Sequence, residues 1–216
     1  MEQGQPPPAF ELSGGALCLD FANTWEDRER PETDKLRGYP DLLAFARQTG
    51  LLTADEEARL AGRAERDPEA AAAALALGRG LRETLYRTFS AVADSRAPAA
   101  ADLERLNAAL PEALSRLRLK RQGSELVWAW AAPEDPLEAP LWPILRSAAE
   151  LLTAAERERV RECAGNACTW LFLDYSRNRS RRWCSMETCG NRAKARRHYR
   201  RTIDRDDCAA PRDHGA

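Results

Sequence analysis

The sequence predicts a mainly α protein with a small β component, an α+β chain whose helical N-terminal domain is followed by a compact C-terminal module. Three observations carry this. Apolar residues recur at i, i+4 spacing through much of residues 40–152, as helices that bury one face require. Two short apolar stretches break that period and flank a glycine turn. Four of the six cysteines, Cys163, Cys168, Cys184 and Cys189, then gather within 27 residues, where the charge also changes sign.

In order along the chain, Ala16-Leu17-Cys18-Leu19-Asp20-Phe21 alternates in part after Gly14-Gly15 and reads as a candidate strand. Leu42, Leu43, Phe45, Ala46 and Leu51 follow Pro40-Asp41, a helix start with Asp41 as N-cap. Thr53 and Glu56 stand at capping-box spacing and open the next helix. Leu77, Leu81, Leu85 and Phe89 form a longer stripe, extended by Leu75 and Val92, with Gly78 and Gly80 as weak points. Leu103, Leu106 and Leu110 mark a further helix that Pro111 interrupts or restarts. Residues 117–120 and 126–130 flank Gly123 as a hairpin, and the prolines of 133–143 favour an extended connection. Leu141, Ile144, Leu145, Ala148, Leu151 and Leu152 resume the helical spacing.

The overall charge of −1 hides a division: residues 1–160 hold 20 Lys/Arg against 27 Asp/Glu, a net −7, whereas residues 161–201 hold 11 against 3, a net +8. A basic block of this density on an acidic body points to a polyanion-facing module. The charge shift sets the expected boundaries: a body over residues 1–152, a cysteine module over 153–205 and a polar tail over 206–216.

The cysteine spacing is C-x4-C, fifteen residues, C-x4-C. Zinc is held by four thiolates in a tetrahedron, and two short loops, each presenting a pair, supply that geometry. Four thiolates close the coordination sphere, so one structural rather than catalytic zinc is expected. Disulfides are the alternative, which the expected cytoplasmic location disfavours: the N-terminus lacks a basic stretch and an apolar signal segment, and no run of 18 apolar residues offers a membrane span. Trp170–Tyr175 reads as one arm of a hairpin within this module, Arg179–Trp183 as its returning arm, and Arg192–Arg201 as a closing helix, an order that is treble-clef-like.

Arg177, Arg179, Arg181 and Arg182 fall on the hairpin turn and return. Arg192, Lys194, Arg196, Arg197, Arg200 and Arg201 crowd the helix. Ten arginines to one lysine in residues 161–201 favour planar, bidentate contact with phosphates and base edges. Trp170, Trp183 and Tyr199 are expected to form the module's small core rather than to stack on bases. The alternatives to a nucleic-acid surface are a solvated face and a helix that docks on the acidic body or another protein.

With these residues quoted, the chain resembles the CGNR zinc-finger proteins of bacteria. The motif stands here as Cys189-Gly190-Asn191-Arg192, with matching stretches at 159–165, 172–178 and 181–186. Leu17-Cys18-Leu19-Asp20-Phe21-Ala22-Asn23-Thr24 is similar to the companion ABATE domain. The resemblance implies a stress-responsive transcription regulator whose finger contacts DNA. RNA binding and a protein-interaction adaptor are the competing functions, and a homodimer would extend the small footprint of one finger.

Such a regulator needs an input. Asp20, Asn23 and Trp25, with Arg82, are the candidates for a small-molecule effector pocket; the plainer reading makes Asn23 and Thr24 caps of a turn, steadied by Asp20. Cys18, between leucines, reads as a core thiol and Cys208 as exposed. With two histidines (His198 and His214) and no G-x-S-x-G, G-x-x-x-x-G-K or H-E-x-x-H motif, no enzyme is expected.

Overall fold

The apolar stripes fold into helices around one long central element. The computed structural model describes residues 9–132, 135–197 and 199. Its helices are α1 (Leu17–Ala22), α2 (Tyr39–Gln48), α3 (Ala54–Arg66), α4 (Pro68–Ala93), α5 (Ala100–Ser115) and α6 (Trp142–Thr153). Strands β1 (Leu117–Gln122) and β2 (Glu125–Trp130) pair antiparallel, as do β3 (Val160–Glu162) and β4 (Leu171–Leu173). Residues 191–197 are helical. The mainly α architecture with small β pieces is therefore as the sequence predicts. No helix among the described residues is long and apolar enough to cross a membrane.

α4 is the spine. Leu81, Leu85 and Phe89 are buried along it, while Leu77, in phase with them, is 54% exposed. The helix runs unbroken through Gly78 and Gly80. At Gly78 a Cβ would stand 3.3 Å from Leu141, so the missing side chain lets the segment before α6 pack close. The capping box forms as read: Thr53 Oγ1 accepts from Glu56 N–H, and Glu56 accepts from Thr53 N–H at 2.7 Å. The β1–β2 turn uses Gly123 at φ +62°, a left-handed conformation that favours glycine.

Several expectations are corrected. Ala16–Phe21 is not a strand: Leu17–Ala22 is the short helix α1, lying against α4 and α6. Cys18, Leu19, Phe21 and Ala22 are all buried, and a mostly apolar stretch of six residues, broken only by Asp20, carries no period that separates helix from strand. Asp41 is not the N-cap of α2 but its third residue; its carboxylate reaches back to accept from Arg37 and Gly38 N–H at 2.8 and 2.9 Å. α5 continues through Pro111, which falls near its end, so few turns depend on the hydrogen bond the proline cannot donate. The proline-rich connection is partly helical, with Pro140 in a 3-10 turn at Ala139–Leu141 and Pro143 in the first turn of α6, where proline's fixed φ suits the helix start.

The return arm expected at Arg179–Trp183 is not a strand. The partner of β4 is β3, upstream of the first cysteine pair, so the hairpin encloses the Cys163–Cys168 loop. The opposite edge of β4 is occupied by the N-terminal segment. Thr169 N–H donates to the Glu26 carbonyl, Leu171 N–H to Asn23 Oδ1 and Leu173 N–H to the Gly14 carbonyl. With both edges of β4 taken, no place remains for residues 179–183. Side chains alternate about this strand: Leu171 and Leu173 join the body's core with Val160, while Trp170 and Phe172 turn towards the cysteines.

Candidate metal centre and basic surface

Two loops bring the four cysteines together. Residues 163–168 connect β3 to the segment leading into β4, and Cys184 and Cys189 flank a turn that ends in the π-helical piece Met186–Gly190. Ser185 Oγ accepts from the Glu187 and Thr188 N–H groups and caps that turn. All four cysteines are buried, and their Sγ atoms lie within 4.8 Å of one another. A tetrahedron with metal–sulfur bonds of about 2.3 Å has edges of about 3.8 Å. The Cys168–Cys184 and Cys184–Cys189 separations are 3.8 and 3.7 Å. The cysteines are not disulfide-bonded, so the donor set fits one structural zinc.

The surroundings suit a thiolate cluster. Hydrogen bonds from Cys168 and Cys184 hold the Cys163 pKa far below the ordinary thiol range. Cys184 N–H points at Cys163 Sγ from 3.4 Å. Arg192 Nη2 lies 3.3 Å from Cys189 Sγ and 3.5 Å from Glu26 Oε1; the Cys189 contact is the main reason its pKa rises. A zinc bound by four thiolates carries two net negative charges, and Arg192 offsets part of them. Gly165 is required for space, since a Cβ there would sit 3.1 Å from Cys189 Sγ and 3.4 Å from Cys163 Sγ. Trp170 is buried beside the cluster and Trp183 packs against it, as read from the sequence. Tyr199 does not join them and is exposed.

The loop between β4 and the second cysteine pair is built on Asp174, which is fully buried. Its carboxylate accepts from Ser176 N–H at 2.8 Å and Arg181 N–H at 2.9 Å. Burial alone would raise its pKa; hydrogen bonds from Ser176 and Arg181 outweigh that and hold it low.

The predicted basic residues fall into two groups. Arg181 turns inward: its guanidinium lies 4.3 Å over the Phe172 ring and donates to the Trp183 and Cys184 carbonyls. Arg192 serves the metal centre, and Arg179, at φ +49°, pairs with Glu158 at 3.7 Å. Arg177, Arg182, Lys194, Arg196 and Arg197 are exposed. Arg200, Arg201, His198, His214 and Cys208 lie outside the described residues.

The residues named for an effector pocket are not brought into one site. Asp20 Oδ1 accepts from Gly14 N–H, and burial raises the Asp20 pKa to about 6. Asn23 Nδ2 donates to the Leu171 carbonyl at 2.8 Å while its Oδ1 takes the Leu171 N–H. Trp25 and Arg82 do share a surface depression, together with Asp34 and Glu83. Arg82 is buried there and bidentate to Asp34 at 2.5 and 2.7 Å. Cys18 is a core thiol, as predicted, pushed up to about 12 by burial.

Sequence reasoning missed the seam that fixes the finger to the body. Arg28 Nη1 donates to Thr169 Oγ1 at 2.7 Å and Nε to Glu83 at 3.0 Å, and its guanidinium stacks 3.6 Å over Tyr86. Tyr86 and Ser90 both donate to Glu162 of β3, at 3.0 and 2.7 Å. These partners lie 55 to 141 residues apart in sequence, beyond the reach of any local pattern.

With this geometry in place, residues 15–155 match the ABATE family, described as a putative stress-induced transcription regulator. The chain belongs to the ABATE family. Residues 159–202 match the CGNR zinc finger, so all four cysteines fall inside that module of this ABATE protein. Among curated proteins no match is found.

Proposed function

We propose that this protein is a DNA-binding transcription regulator in which zinc makes the finger a rigid support for arginines, and the helical body supplies the input. The observation that carries the reading is the division of labour among the basic residues. Arg181 and Arg192 are spent on holding the zinc loops, which leaves Arg177, Arg182, Lys194, Arg196 and Arg197 exposed around one metal-stapled module. Phosphate contacts from these side chains give affinity, and one or two arginines reading base edges give sequence preference. The body, at net −7, offers no second polyanion-binding face, so phosphate contact rests on the finger.

The reading is of a binding protein, not an enzyme, that works in the cytoplasm; a homodimer would double the footprint of one finger. The test is competition. Purified zinc-loaded protein is titrated with a random-sequence DNA duplex, then challenged with RNA of equal length. Retention of the duplex supports DNA as the partner, preferential loss to RNA favours the RNA-binding reading, and no nucleic-acid binding at low salt leaves the adaptor.

A further inference from the structure

We propose that the furrow between α4 and α5 binds an amphipathic monoanion, a compact apolar body carrying one carboxylate or sulfonate, and that its occupancy is felt at the first zinc loop through Glu83, Arg28 and Thr169. The site names the effector class for the sensor half of the proposed function and rests on that reading only there.

The furrow encloses about 620 Å³, within the usual range for small-molecule sites, roughly 300–1,000 Å³. Leu81, Leu106 and Ala109 line it and Leu77 forms an exposed lip. Gly80 forms part of its wall, and a Cβ at that position would meet nothing within 4 Å, so there is room for a side chain there. A separate cavity of about 150 Å³ shares Leu77, Leu81 and Ala109 with it and is lined further by Leu141, Trp142 and Leu145, with Glu112 and Glu138 at its edge.

The polar end fixes the sign of the ligand. Asp102 accepts from Arg87 at 2.6 Å and from Arg105 at 3.4 Å, so one carboxylate faces two guanidinium groups and one positive charge is left over. Arg105 has the weaker hold, and its side chain is 65% exposed, which makes it the group available to an anionic head. Glu83, on the same wall, and Asp34 are together balanced by Arg28 and Arg82. The two arginines bind Glu83 at 3.0 and 3.1 Å, and Arg82 binds Asp34 at 2.5 Å, so the excess stays with Arg87 and Arg105.

Glu83 is also the link outward. Its partner Arg28 holds Thr169, the residue after the ligand Cys168, so a bound molecule that moves Glu83 acts two hydrogen bonds away from the metal loop. Any such coupling is reciprocal, and zinc loss would loosen the furrow in turn.

The experiment uses the full zinc-loaded chain and 8-anilinonaphthalene-1-sulfonate as the probe, with decanoate as competitor and no DNA present. One saturable site per chain, displaced by decanoate, is expected. Gly80→Phe, which places a ring at the furrow's wall, is expected to abolish it, and Arg105→Glu to weaken it by about tenfold. Both variants are checked for unchanged circular dichroism and Tm. Amide exchange at Thr169 shifts on saturation, and the shift is lost in Arg28→Ala. Absent or non-saturable binding, equal binding by Gly80→Phe, an unmoved Thr169 amide, or a mass showing that a second copy covers the furrow would each overturn the proposal. If the probe binds as expected while DNA does not, the regulator reading fails and the site stands.

Discussion

Asn23 ties the finger to the body through two buried hydrogen bonds, and replacing it with alanine measures that attachment. Its amide meets both the N–H and the C=O of Leu171 at 2.8 Å, taking the place of a neighbouring strand on the outer edge of β4. Asn23 is 3% exposed and Leu171 fully buried, so water cannot replace either bond. Stranding a buried donor and a buried acceptor costs about 1–3 kcal/mol each, which puts the expected loss at about 3 kcal/mol or somewhat more. Asn23→Asp keeps the acceptor for the N–H but aims a carboxylate at the carbonyl, and should lose at least as much at neutral pH. The assay is urea unfolding at fixed zinc, with metal content measured alongside. The cysteines have their own small core, so Asn23→Ala should still bind one zinc per chain while the finger separates more readily from the body. A loss below about 0.5 kcal/mol, the level of an ordinary surface substitution, would refute the view that this amide completes the strand edge.

Arg192→Ala removes the cation beside Cys189 and should weaken zinc by about 10–100-fold in a chelator competition, the usual effect of losing a partner of a metal ligand. Gly165→Ala should also weaken zinc, because its methyl would crowd Cys189 Sγ at 3.1 Å; unchanged affinity would mean the loop yields easily. Asp20 has its folded pKa raised by burial to about 6, above the ordinary carboxylate value near 3.9. Between about pH 4 and 6 the folded state therefore keeps a proton that the unfolded chain has released, so stability falls as pH rises through that window. In Tm measured against pH, Asp20→Asn should remove this component and be relatively more stable at pH 7 than at pH 4. Substituting Cys184 with serine should abolish stoichiometric zinc binding and cost the finger its fold, seen as loss of the Trp170 and Trp183 fluorescence environment.

What was legible in the sequence was what depends on local spacing. The C-x4-C pairs announce the metal, the Thr53–Glu56 pair its capping box, and Leu81, Leu85 and Phe89 the buried face of α4, because each is written within a few turns of chain. The reading of Ala16–Phe21 failed for lack of period: four of the six residues of α1 are buried, so its short sequence is mostly apolar whichever element it forms. The hairpin return failed for a different reason. Arg179–Trp183 reads as a strand from its position before Cys184, but the edge it would have joined is already held by Glu26, Asn23 and Gly14, from the other end of the chain. Counting arginines gave the charge of the finger correctly but not their division of labour, since nothing in the run distinguishes Arg181, folded over Phe172, from exposed Arg182.

The central claim is that a zinc-stapled set of five exposed cations meets phosphate, and its most direct test is the salt dependence of duplex binding. Five neutralised phosphates give a slope of log K against log salt of about −4.5, and Arg196/Arg197→Ala should reduce it to about −2.7. A steep slope that falls by that amount supports the account. A shallow slope, or one the double variant leaves unchanged, would contradict it and assign the basic face to a protein partner.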